Sequence, residues 1–144
     1  DLEAVMAHVR RRSDVVQSKI LLAGQSRGGI LSVAYAGERP DAFVGVVNFV
    51  GGWMGDRCAN AVAINTATFK RGAKFQRPTL WLYGEADPFY TLSHSKGNFD
   101  AFVAAGGKGR FESYWVPGQS TGHAVIAHPK LWTDHLTQYL ESVK

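Results

Sequence analysis

The chain has 144 residues, 45% of them hydrophobic, 19% charged and 12% aromatic, and its 16 Lys and Arg against 12 Asp and Glu leave it mildly basic at +4. That composition excludes intrinsic disorder, and a chain of this length fits one domain burying roughly 68–70% of the surface its unfolded form exposes. A single cysteine, Cys58, excludes a disulfide framework and a Cys-rich zinc site. No run reaches the ~18 apolar residues of a membrane span, and the basic clusters at Arg10-Arg11-Arg12, Lys70-Arg71 and Lys108 with Arg110 lack the interleaved aromatics of a nucleic-acid stripe.

The chain opens at Asp1 with no charged and apolar leader and runs straight into a helical pattern. Leu2, Val5, Met6 and Val9 fall on one apolar face. Lys19–Gly24 is a short apolar run without alternation, which predicts a parallel strand covered on both faces. Arg27–Glu38 reads as a helix closed at Arg39-Pro40. Phe43–Val50 is a second strand ending in Gly51-Gly52, and Ala59–Lys74 is partly helical. Pro78–Gly84 is a third strand, with proline at its start where no ladder donor is lost. Leu92–Ala105 is a helix stopped by Gly106-Gly107. Phe111–Val116 is a fourth strand, and Pro129–Val143 is a last helix with Leu131, Trp132, His135, Leu136, Tyr139 and Leu140 at helical spacing. The alternation predicts an α/β fold, a mostly parallel doubly wound sheet with helices on both faces, in a single domain over residues 1–144. In such sheets ligands sit at the carboxyl ends of the strands, so the loops after Gly24, Val50, Gly84 and Val116 are where chemistry is expected.

The first of these loops reads Gly24-Gln25-Ser26-Arg27-Gly28, a G-x-S-x-G pattern joining an apolar strand directly to a helix. That context makes the pattern a nucleophile elbow. A sharp strand-to-helix turn strains the serine backbone, and a side chain at Gly24 or Gly28 is expected to collide with neighbouring backbone. Ser26 then stands clear of the sheet at a helix N-terminus, and the Arg27 amide points at a developing oxyanion. After the third strand comes Tyr83-Gly84-Glu85-Ala86-Asp87-Pro88, and after the fourth Gly118-Gln119-Ser120-Thr121-Gly122-His123. A serine hydroxyl needs a base, histidine titrates in the right range, and an acid holds the imidazole in the productive tautomer. All three residue types follow three different strands, in the order Ser, Asp, His.

On these motifs the chain resembles the α/β-hydrolase family over nearly its whole length, as the C-terminal half of such a domain. The branches most similar in texture are the dienelactone-hydrolase-like and prolyl-oligopeptidase-like ones. The resemblance implies Ser26 as nucleophile, Asp87 as the acid that orients the base, and His123 as the base. It also implies acyl transfer on an ester, lactone or thioester of small-molecule size, with no cofactor. Dienelactone hydrolase proper carries a cysteine where this chain has Ser26, which points away from dienelactone itself as substrate. The family has further strands before the elbow, and an upstream loop supplies a second oxyanion amide. The expectation is therefore that a missing N-terminal half, or a partner chain, covers the Lys19–Gly24 strand, which would otherwise be an exposed apolar edge.

Rivals for each role remain at this stage. Glu85 competes with Asp87, which could instead cap the next helix. His94 lies near the acid loop but matches the motif poorly, His128 precedes Pro129 as a loop or helix-entry residue, and His8 and His135 fall on helices. Gln25, Trp53, Met54, Phe89 and Tyr90 are the candidate pocket wall, since such pockets are mostly apolar and aromatic. Cys58 has no adjoining base motif, and no His/Asp/Glu cluster has metal-ligand spacing. A serine peptidase of the prolyl-oligopeptidase type and a binding module without catalysis stand as alternatives to the esterase.

Overall fold

The computed structural model describes residues 2–117 and 122–144. Helix α1 spans Leu2–Arg10, followed in order by β1 (Leu21–Gln25), α2 (Arg27–Glu38), β2 (Gly45–Phe49), α3 (Ala61–Arg71), β3 (Thr79–Gly84), α4 (Leu92–Ala104), β4 (Gly109–Tyr114) and α5 (Pro129–Ser142). Short 3₁₀ turns cover Gln17–Lys19, Gly72–Lys74 and Gly122–Ala127. The strands pair in parallel in the order β1-β2-β3-β4, with Leu21 opposite Gly45, Val46 opposite Thr79, and Thr79 opposite Gly109. The predicted α/β alternation is therefore present, with strand and helix ends displaced by a few residues.

Side-chain alternation divides the sheet between two helical layers. On one face Trp81 packs against Phe69 of α3 and against Phe99 and Phe102 of α4, at ring-centroid distances of 4.5, 5.2 and 5.2 Å. On the other, Phe49 meets Trp132 of α5 edge-on at 5.1 Å. The Tyr139 hydroxyl of α5 accepts the Val46 N–H at 2.7 Å and donates to the Pro78 carbonyl at 2.7 Å. Gly45 makes room for it: a Cβ there would run into that hydroxyl. Every residue of β2 and β3 is buried, as expected of central parallel strands. Each fully buried large side chain among them contributes about 1.5–3 kcal/mol to stability.

The first elements follow the sequence reading only in part. The β1 strand is not covered on both faces: it lies at the end of the sheet, and Ala23 and Gln25 are exposed. Its lack of alternation reflects apolar character without matching burial. On α1, Met6 is buried but Val5 is 55% exposed. That helix instead reaches the end of α2 through the Arg39–Glu3 ion pair at 2.8 Å. No helix among the described residues is long and apolar enough to cross a membrane.

Candidate active site

The carboxyl ends of the strands carry a concentration of unusual backbone. Ser26, Val50 and Ala86 all have positive φ, at 53°, 43° and 56°. Each directly follows a strand or opens the loop after it, and such conformations cost of order 1–3 kcal/mol apiece for residues with a side chain. Ser26 sits between β1 and α2 with ψ at −121°. Its N–H donates to the Phe49 carbonyl at 2.9 Å, while its own carbonyl accepts from Gly29 at 2.9 Å and from Gly52 at 3.2 Å. The elbow is thereby bonded to the end of β2 and to the loop that follows it.

The glycines around the elbow act differently from the sequence expectation. A Cβ on Gly24 would strike the Gly28 carbonyl, as foreseen. A Cβ on Gly28 would meet nothing within 4 Å, so the expected collision there is absent. The tight position is Gly29, whose Cβ would run into the Asn48 side chain and lie 3.0 Å from the Gly51 Cα. The helix turns Gly28 outward and Gly29 inward onto the sheet, a difference the pattern alone does not contain.

Asp87 and His123 are brought together. His123 Nδ1 lies 2.8 Å from Asp87 Oδ2. The Asp87 side chain is wholly buried, and its other oxygen accepts the backbone N–H groups of Phe89 at 2.8 Å and Tyr90 at 3.2 Å. The carboxylate is thus fixed by its own loop and offers one oxygen to the imidazole. Glu85, the rival acid, is exposed. The contact depends on a close passage of two backbones: a Cβ on Gly84 would strike Gly122, and one on Gly122 would strike the Gly84 carbonyl. The Gln25 amide, donating to the His123 carbonyl at 3.1 Å, ties the same turn to the residue before Ser26. The motif residues Gly118, Gln119, Ser120 and Thr121 lie outside the described residues.

Tyr90 neighbours both Ser26 and His123. Its ring is 5.7 Å from the His123 ring and its hydroxyl donates to the Gly52 carbonyl at 2.8 Å. Burial raises the Tyr90 phenol above its ordinary range. Asp87 raises it further, while the neighbouring Ser26 hydroxyl and Arg27 pull it down. Ser26 and His123 themselves share no hydrogen bond among the described residues, a looseness common before substrate binds.

The other candidate wall residues divide by position. Phe89, 53% exposed, stands edge-on to His123 at 4.8 Å. Trp53, 41% exposed, lies under the Arg27 guanidinium at 5.3 Å. Met54 is half-buried. A shallow hollow of about 180 Å3 runs beside Phe89 between the loops after β2 and β3, lined by Gly55, Asp56, Cys58 and Pro88 among others. A larger hollow of about 460 Å3, by Pro117 and the start of α5, is lined by none of Ser26, Asp87 or His123, so size is a poor guide to the chemistry here. His8 is exposed. His128 caps α5, and His135 pairs with the Tyr114 hydroxyl at 2.5 Å; none of the three is bonded to Ser26 or Asp87. Cys58 is exposed. Among the described residues no group of three or more His, Cys, Asp or Glu could hold a metal ion.

Sequence reasoning missed Asn65. It lies on α3, fully buried, and its Oδ1 accepts both the Trp53 and the Met54 backbone N–H at 3.0 Å. A polar residue inside an Ala-rich helical stretch carries no signal of that task.

A four-stranded parallel sheet with helices on both faces, a strained serine at a strand-to-helix turn and a buried Asp–His pair at the same rim define an α/β-hydrolase fold. The dienelactone hydrolase family model matches residues 1–129, and the chain belongs to that family. Solved structures agree on the fold. A thermostable esterase is 19% identical with a TM-score of 0.64, covering 97% of this chain and 36% of its own. An esterase from Pyrococcus furiosus is 11% identical with a TM-score of 0.69, covering 96% and 60%. An S-formylglutathione hydrolase from Agrobacterium tumefaciens is 17% identical with a TM-score of 0.67, covering 99% and 56%. The chain thus spans less than two thirds of the length of each of these structures. No curated protein matches it. The hydrolase class anticipated from the motifs agrees with the family.

Proposed function

We propose that this chain carries the catalytic half of a serine hydrolase that cleaves a carboxylic ester, lactone or thioester through an acyl-enzyme on Ser26. The observation that carries the reading is the 2.8 Å contact between His123 Nδ1 and the buried Asp87 carboxylate, at the rim where Ser26 is held in strained backbone. With Nδ1 donating to Asp87, the Nε2 lone pair of His123 is free to take the Ser26 proton after a rotation about the serine Cα–Cβ bond. Ser26 Oγ then attacks the substrate carbonyl carbon, and the Arg27 amide stabilises the oxyanion. His123 returns the proton to the departing alcohol or thiol, and water releases the acyl group by the reverse sequence. Phe89, edge-on to His123, and Trp53, under Arg27, offer exposed apolar surface beside the proposed reacting groups.

The second oxyanion amide and the cover for β1 come, in this proposal, from chain outside these residues or from a partner chain. The support is the half-exposed β1 beside the wholly buried β2 and β3. One missing oxyanion donor costs about 10²–10³ in turnover. The isolated chain should therefore hydrolyse p-nitrophenyl acetate that much more slowly than a longer parent, and equal turnover would dismiss the idea. The hydrolase reading itself is tested by fluorophosphonate labelling, which should mark Ser26 and disappear in Ser26→Ala. Labelling that persists in Ser26→Ala, or is absent from the longer parent, would refute it.

A further inference from the structure

The four hydrogen-bonding capacities of the Asn65 amide are all used. Oδ1 accepts from the Trp53 and Met54 N–H groups at 3.0 Å each, and Nδ2 donates to the Met54 carbonyl at 2.8 Å. The remaining Nδ2 hydrogen faces His94 Nε2 on α4, 2.9 Å away. The two backbone N–H groups fix which end of the amide is oxygen, so the end facing His94 is a donor. His94 Nε2 must then be a bare lone pair, with the ring proton on Nδ1.

We propose that Asn65, held by neutral His94, is the positioning residue for the Trp53–Met54 wall of the site, and that protonation of His94 releases that wall. An imidazolium has two N–H donors and no lone pair, so its Nε2–H would point at the Asn65 N–H. Either the ring swings away, which leaves the Asn65 amide without the side-chain partner that holds it, or the amide turns over. Turning over strips both backbone N–H groups of their acceptor. The wall is coupled to the rest of the rim, because Trp53 lies under Arg27 and the adjoining Gly52 carbonyl receives the Tyr90 hydroxyl.

The groups around His94 are Asn65 from α3, Asp56 from the loop after β2 with Arg57 beside it, and Thr91 at the head of α4, whose hydroxyl accepts the His94 backbone N–H at 3.4 Å. Burial lowers His94 from its ordinary 6.5, and the Asp56 carboxylate opposes this more weakly. The neutral, clamped state is therefore the resting one near neutral pH. The arrangement of the wall stands on geometry alone; its effect on substrate rests on the ester-hydrolase reading above.

The test follows the backbone amide resonances of Trp53 and Met54 by NMR from about pH 8 to about pH 5. In the wild type both should shift together with a midpoint below 6.5, and their hydrogen exchange should quicken at least tenfold beyond the intrinsic pH effect. His94→Gln, whose side-chain oxygen accepts from Asn65 at every pH, should abolish the transition. Asn65→Asp places a carboxylate oxygen against Nε2 and should move the midpoint upward, while His123→Gln should leave it in place. A flat wild type, a transition that survives His94→Gln, or one lost with His123→Gln would overturn the proposal. These resonances do not depend on turnover, so failure of Ser26 to label would sink the hydrolase reading and leave this one standing.

Discussion

Replacing Asp87 by asparagine separates the two tasks of its carboxylate. One oxygen holds the Phe89 and Tyr90 N–H groups at 2.8 and 3.2 Å, and the other faces His123 at 2.8 Å. Asparagine is the same shape, and its single oxygen is claimed by the two backbone donors. Its NH2 group then faces Nδ1 and donates to it, which forces the imidazole proton onto Nε2, the atom that should receive the Ser26 proton. The negative charge that would stabilise the imidazolium is lost as well. In a serine triad the same change costs about ten-thousandfold in turnover, which at about 1.36 kcal/mol per decade is about 5.4 kcal/mol of barrier. Stability should fall by less than about 1 kcal/mol, because the loop keeps its acceptor. Hydrolysis of p-nitrophenyl acetate and thermal unfolding, measured on one preparation, report both quantities. Glu85→Gln, at an exposed position, serves as the control and should change neither. A folded Asp87→Asn protein retaining activity within tenfold would refute the assignment of Asp87, and with it the triad.

Gly24→Ala should destabilise the fold by about 1–3 kcal/mol, because its Cβ meets the Gly28 backbone. Gly28→Ala should unfold within a few degrees of the wild type, and thermal melts compare the two directly. Ser26→Gly should abolish fluorophosphonate labelling yet unfold at higher temperature than Ser26→Ala, since glycine accepts a φ of 53° that alanine does not. Burial pushes the Tyr139 phenol up to about 12 from its ordinary 10.0. The folded state holds that proton after the unfolded chain has lost it. This contribution is complete below about pH 10 and is lost as pH rises from there toward 12; Tyr139→Phe should be less stable at neutral pH and show a flatter alkaline decline in chemical denaturation.

The amino-acid order by itself determined the alternation of strands and helices. Runs such as Thr79–Gly84 are apolar enough to be central strands wherever they lie. It also placed the serine, because a strand, a glycine-flanked turn and a helix are all local and need no other part of the chain. Local pattern was less informative about coverage: the Lys19–Gly24 run is as apolar as a central strand, but its neighbours in space leave β1 half open. The motif favoured Asp87 over Glu85, two residues earlier, and what only the tertiary structure adds is that Asp87 is buried while Glu85 is exposed. Burial and the His123 contact depend on Gly84 and Gly122, distant in sequence, passing too closely for a side chain on either. It likewise decided that Gly29 rather than Gly28 is the tight glycine, and that Asn65 holds the Trp53–Met54 loop. Periodicity records which way a side chain leaves its own helix or strand, whereas a site of this kind is made where loops from four strands meet, and that meeting is written in contacts between residues far apart along the chain.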